Sequence, residues 1–269
     1  MAFLITNILL VYGILSDKLG KEESKLSDQV FYANVVKMLE EKQIKMLVPL
    51  PENVAPMGKV TVEYDLFRDD EIANRFLKEY TKQEIEDKIF YVDGLEELAI
   101  LNSKELLYTN NNNSMIYKDL AAEKLFEIAD EFLKKRGLYD EQVKKIFVKK
   151  TGGSYKLLYT KVIDGFAYEE AYMKFDIDSR GVYKFQRLWI NKIDYQPAEI
   201  KMTDPSEALL RLLYYPNIEQ TDIIDLSPCY YFGGSKNNVI DYKNAKKGEA
   251  VPVWRIILSN GEKYFFEMT

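Results

Sequence analysis

The hydrophobic pattern of this chain is lopsided. Residues Met1 to Leu15 are almost wholly apolar, and no comparable run follows. A helix rises about 1.5 Å per residue, so this stretch spans roughly 22 Å against a hydrocarbon core near 30 Å. Thr6, Asn7 and Gly13 are tolerable inside a span, and Asp17 and Lys18 set a sharp polar edge. Three readings compete. A signal peptide needs a basic leader and a small-x-small cleavage site, and neither is present. A buried helix of a globular domain fits the length. The favoured expectation is a membrane anchor over residues 1–17, cut short at its N-terminal side, because Met1 enters the apolar stretch without a polar flank.

Beyond a charged connector, Lys18 to Lys25, the pattern alternates between helical and strand periods. Leu26 to Gln43 carries Leu26, Val30, Phe31, Val35, Met38 and Leu39 at helical spacing. A loop with Pro49, Pro51 and Pro56 leads to a strand over Lys59 to Phe67. Asp69 and Asp70 are placed to cap a helix reaching about Tyr80. Leu98–Leu101 and Glu105–Tyr108 form a hairpin about Asn102-Ser103, and Asn110–Asn113 reads as a linker. A long helix is predicted from Met115 to Arg136, stopped by Gly137.

An antiparallel meander follows. Gly152-Gly153 precedes a strand over Tyr155–Ile163, and Asp164-Gly165 is a two-residue hairpin signal, since a type I′ turn needs φ > 0 at both central positions. Phe166 to Ile177 alternates: Ala167, Ala171, Met173, Phe175 and Ile177 on one face, Tyr168, Glu170, Tyr172, Lys174 and Asp176 on the other. Ser179-Arg180-Gly181 turns into Val182–Ile190. Asp204, Pro205 and Glu207 open a helix ended by Pro216. A strand near Ile223–Phe232, a Lys/Asn-rich loop, and a hairpin of Val251–Leu258 and Glu262–Met268 about Asn260-Gly261 close the chain. The expected class is α+β, helices packed on mostly antiparallel sheets, in two successive helix-plus-sheet units after one N-terminal transmembrane helix. Expected domains are residues 18–110 and 111–269.

Composition narrows the chemistry. The chain has no histidine and one cysteine, Cys229, so a Ser-His-Asp or Cys-His arrangement and a His-ligated zinc site are closed. Cys229, in an apparent strand, reads as a buried thiol. A net charge of −6 disfavours nucleic acid, because its basic pairs are interleaved with acids. Paired carboxylates are the remaining catalytic option, but Glu169 and Glu170 are adjacent on a strand and point to opposite faces. Gly152-Gly153 and Gly233-Gly234 lack phosphate-loop spacing and read as turns. No catalytic residue, cofactor or metal ligand is assigned. Among 20 tyrosines, Tyr155, Tyr159, Tyr168, Tyr172 and Tyr183 are expected to share an aromatic face across the meander. Such pairs ordinarily stabilise a sheet. The sharper reading is a platform for a peptide, a glycan or a partner domain.

Three segments together carry a likeness to a family: the apolar AFLITNILLVYGIL, the helix opening Asp204-Pro205-Ser206-Glu207-Ala208-Leu209, and Ala250-Val251-Pro252-Val253-Trp254-Arg255-Ile256 with its Asn260-Gly261 turn. In this order, over nearly the whole chain, they resemble the YycI family. The resemblance implies a single-pass cell-membrane protein whose α+β body is extracytoplasmic and non-catalytic. Its implied role is to regulate the YycG (WalK) sensor histidine kinase in Gram-positive cell-wall homeostasis, together with a YycH-like partner. Family members carry a short, partly basic lead before the anchor. Its absence here is expected to reflect a misassigned start. Thr6, Asn7 and Gly13 are the small and polar groups expected to contact the kinase's membrane helices. An extracytoplasmic module that binds wall or lipid fragments through the tyrosine face is the competing reading.

Overall fold

The computed structural model describes residues 28–267 apart from 53, 68–69, 87, 119, 196–199, 217, 219 and 233–244. The expected anchor, with Thr6, Asn7 and Gly13, lies outside the described residues, as do Asp69 and the Gly233-Gly234 turn. Among the described residues no helix is long and apolar enough to cross a membrane.

A helix over residues 28–41 (α1) buries Val35 and Leu39, the inner stripe of the predicted periodicity. Strand β1 (Val60–Tyr64) alternates buried and half-buried positions. Helix α2 is short, Glu71–Phe76, because Leu77 turns extended. Two strands that the sequence pattern does not announce follow, β2 (Thr81–Ile85) and β3 (Lys88–Asp93), then β4 (Glu96–Leu101) and β5 (Glu105–Asn110). Asn102 and Ser103 both take positive φ, 49° and 57°, as a two-residue hairpin requires.

The helix expected from Met115 begins later. Residues 115–118 carry no helix, because the N–H groups of Ile116 and Tyr117 both donate to the Ser179 carbonyl. A 3₁₀ turn, Ala122–Lys124, leads into α3 (Leu125–Lys135), and Gly137 follows at φ +62° as the predicted stop. The meander is β6 (Val143–Thr151), β7 (Ser154–Ile163), β8 (Phe166–Asp178) and β9 (Gly181–Leu188), and β10 (Ile190–Tyr195) continues past Trp189. Helix α4 (Pro205–Leu212) is capped by the Asp204 carboxylate, which accepts from Ser206 N at 2.8 Å. The closing strands are β11 (Ile223–Tyr231), β12 (Lys247–Leu258) and β13 (Lys263–Glu267).

Among the described residues thirteen strands belong to one hydrogen-bonded sheet, ordered β10-β1-β12-β11-β8-β9-β5-β4-β3-β2, with β13 on β12 and β6-β7 on β8. Between these strands the pairings are antiparallel except β8 with β11, and an isolated parallel bridge joins Met46 to Ile223. The fold is thus a mixed α/β structure dominated by a large, mostly antiparallel sheet with few helices. Strands from either side of residue 110 interleave: β5 pairs β9, and β1 sits between β10 and β12. Helix α3 lays Leu125, Ile128, Ala129, Phe132 and Leu133 on one face of this sheet. There Phe132 meets Phe185 and Tyr108, with ring centroids 5.1 and 5.7 Å apart.

One irregularity reverses the expected alternation in β8. Lys161 pairs Tyr168, yet Thr160 pairs Tyr172, so three residues bulge out of β8 and Glu170 takes φ +64°. From Ala171 at the end of the bulge onward, Ala171, Met173, Phe175 and Ile177 join the main core as expected. Before it the parity inverts. Tyr168 belongs to the main core, while Ala167 packs with Cys229 and Val253 in a separate cluster.

Candidate functional site

The five tyrosines do not converge on one exposed face. Tyr155 and Tyr159 are buried beneath α3 and its approach, donating to Leu120 O at 3.3 Å and to Asp130 Oδ1 at 2.8 Å. Tyr168 is fully buried, stacks on Tyr230 at 4.9 Å and donates to Tyr195 Oη at 3.1 Å. Tyr172 sits apart, donating to Glu105 Oε1 at 3.0 Å, and Tyr183 lies 2.9 Å from Ser154 Oγ at another edge. Burial pushes the phenols of Tyr159, Tyr168 and Tyr172 well above their ordinary range, so they serve as neutral donors. The physical reason for the scatter is the β8 bulge together with the burial of the face that α3 covers.

Two of the three family-like segments, the α4 opening and the β12 stretch, meet. Trp254 and Arg255 are adjacent on β12 and so point to opposite faces. Trp254 is buried and donates its indole N–H to Thr203 O at 3.0 Å, one residue before the Asp204 cap. Pro252 falls between the β12 segment that pairs β1 and the segment that pairs β13, so its missing N–H breaks no ladder on that side.

Arg255, 1% exposed, organises a buried ionic network across five strands. Its Nε and Nη2 donate to Asp225 Oδ2 at 3.0 and 2.6 Å, and its Nη1 donates to Glu169 Oε1 at 2.7 Å. Lys263 Nζ holds the other Glu169 oxygen at 2.6 Å, and Lys144 pairs with Asp225. These cations overcome desolvation and hold both carboxyls below their usual range. Glu170 behaves oppositely: burial first, then the Glu169 charge, raises its carboxyl. Cys229 is buried beside this network, and burial pushes its thiol up, so it is not a thiolate nucleophile. Every carboxylate oxygen of Glu169 is spent on a cation, which leaves the network a clasp rather than an acid–base pair.

Two clefts remain. The larger, about 470 Å³, lies on the sheet face away from α3, between Leu107, Leu158, Lys156, Lys174 and Gln186 and the β12–β13 turn at Asn260-Gly261. The smaller, about 310 Å³, is polar and is assembled from the loop after β1, helix α2, the α3–β6 connection, β7 and the β9–β10 junction. Its deep residues are Arg187 and Lys161, with side chains 5% and 8% exposed. Lys161 Nζ donates to Asp140 Oδ2 at 2.7 Å, and Trp189 Nε1 donates to the same oxygen at 3.0 Å. Arg187 Nη1 lies 2.8 Å from Asp65 Oδ2, a close ion pair. The sequence pattern does not single out Arg187, Lys161, Trp189 or Asp140. They come from distant segments, and a cation in a strand reads as solvated until its burial is known.

Among the described residues no group of three or more Cys, Asp or Glu side chains is placed to hold a metal ion.

The family model described as YycI protein matches residues 22–267. No curated protein matches the sequence. Among solved structures the chain is similar to YycH from Bacillus subtilis, at 11% identity and a TM-score of 0.53, over 87% of this chain and 61% of that one. It is also similar to an uncharacterized protein from Eubacterium rectale, at 12% identity and a TM-score of 0.49, over 87% of this chain and 94% of that one. At these identities the likeness to YycH is one of fold.

Proposed function

The chain belongs to the YycI family, and from that membership we propose that it is a non-enzymatic regulator of the YycG/WalK two-component sensor kinase, working with a YycH-like partner. The family match over nearly the whole described chain carries this reading. The fold shared with YycH supports a relation between the two proteins. On this proposal residues 1–17 anchor the chain in the cell membrane by a single pass, and the folded body is extracytoplasmic.

Regulation then works by differential affinity. A partner shifts the kinase between two states only by the difference in its binding to each. Thr6, Asn7 and Gly13 offer the small and polar groups through which membrane helices associate. Asn7→Leu combined with Gly13→Leu is expected to weaken co-purification with the kinase from membranes while the body stays folded. Unchanged co-purification sinks the helix contact. Failure of the native protein to co-purify with either kinase or YycH-like partner sinks the regulatory reading itself.

A further inference from the structure

We propose that the polar cleft around Arg187 is a binding site for a small oxyanion, a carboxylate or a phosphate group. The site goes beyond the regulatory reading and does not depend on it.

The inference starts from a donor surplus. A guanidinium carries five N–H groups and no acceptor. Arg187 is 4% exposed, and its Nε has no hydrogen-bond partner among the described residues. Among the described residues its Nη1 pairs with Asp65 Oδ2 at 2.8 Å. Buried donors without acceptors are costly, and they mark places where water or a ligand completes the set. Lys161, beside it in the cleft, spends one of its three donors on Asp140.

Each carboxylate that lines the cleft already faces a cation. Asp140 accepts from Lys161, from the Trp189 indole and from Gln142 N. Asp65 faces Arg187 and Glu71 faces Arg75. Burial also separates the signs: the Arg187 and Lys161 side chains are 5% and 8% exposed, whereas Asp65 and Asp140 are 30% and 23% exposed. The carboxylates are therefore better screened by solvent than the cations, and the floor of the cleft is rich in positive donors.

Geometry selects the ligand class. A planar guanidinium matches the two oxygens of a carboxylate or phosphate in a bidentate fork. A volume of about 310 Å³ suits a small molecule or the anionic end of a larger one. The ring centroids of Trp189 and Phe67 lie 5.7 and 5.6 Å from the guanidinium carbon and flank the arginine.

The protein supplies its own reporter. It has two tryptophans, so full-length chain labelled with 15N at tryptophan and held in detergent gives two indole N–H signals. Trp189 lines the cleft, and Trp254, bonded to Thr203 O, serves as the internal reference. Inorganic phosphate and N-acetylglycine are titrated separately against sodium chloride at matched ionic strength. The expected result is a saturable shift of the Trp189 signal with one or both oxyanions, a fixed Trp254 signal, and no shift with chloride. The probe that saturates at lower concentration identifies the phosphate or the carboxylate source. Arg187→Lys is expected to raise the midpoint at least tenfold while the Trp254 signal persists. Should that variant lose the Trp254 signal, Arg75→Ala at the cleft mouth is decisive and is expected to raise the midpoint at least threefold. A Trp189 signal unmoved by both oxyanions, one moved equally by chloride, or native midpoints in the folded variants overturns the site.

Discussion

At the scale of single residues, Glu169 and Glu170 show how one local distortion separates two identical side chains. The bulge leaves Glu169 clasped by Arg255 and Lys263, and Glu170 half-buried without such clasping. Their pH signatures have opposite signs. Glu169 and Asp225 have carboxyls lowered in the folded state. Their stabilisation is present above the unfolded carboxylate pKa and is lost as pH falls through the folded one. Glu170 is raised, so the folded state holds its proton longer and stability falls as pH climbs above the ordinary carboxylate value. Glu169→Gln leaves buried cations short of a partner and is expected to cost about 3–5 kcal/mol at neutral pH, with a flatter acid limb. Glu170→Gln is expected to stabilise the protein at pH 7 and to leave the acid limb intact. Urea midpoints measured from pH 3 to 8 check both, and equal responses from the two variants would refute the assignment.

At the scale of elements, local chemistry was legible and non-local chemistry was not. Asp164-Gly165 and Asn260-Gly261 were readable as turns because their signal lies in the turning residues, and Asp164, Gly165 and Gly261 take φ of 51°, 84° and 89°. The α4 cap was readable for the same reason. By contrast β2 exposes all five side chains and is held by pairing with β3, so it lacks alternation. The start of α3 differs from the sequence expectation because Met115 and Ile116 look like helix residues, while their segment is tied to Ser179. The cleft around Arg187 was invisible for a stronger reason: five separate segments build it. The α4 junction yields two measurable effects. Asp204→Ala removes the side-chain cap and is expected to cost about 1 kcal/mol. Trp254→Phe keeps the buried ring but strips Thr203 O of its donor, with an expected cost of about 1–3 kcal/mol. Thermal melts of each variant test these, and a double variant less than additive would show that cap and indole support the same turn.

At the scale of the whole molecule, the strand order makes distant parts of the chain depend on one another. Strand β1 is held between β10 and β12, β5 is held by β9, and the parallel contact of β8 with β11 ties the meander to the closing strands. The main core cluster runs through all of these, from Val35 in α1 to Phe266 in β13. With no partition of core or sheet at residue 110, loss of either part exposes apolar surface on the other, and that coupling favours a single unfolding transition over two. The two tryptophans test it from different places, Trp189 at the β9–β10 junction and Trp254 on β12. Single-tryptophan chains, Trp189→Phe and Trp254→Phe, are each expected to show one urea transition, and in each the fluorescence and far-ultraviolet dichroism midpoints coincide. Phe132→Ala, which empties the aromatic contact between α3 and β9, is expected to lower both reporters' midpoints together, at a cost of about 3–5 kcal/mol. If only Trp189 responds to that substitution, or if fluorescence and dichroism separate within one chain, the meander and the closing strands unfold independently. A regulator built on one such cooperative body would carry a partner's push at any edge of the sheet as a displacement of the whole, whereas two independent bodies would let the hinge between them absorb it.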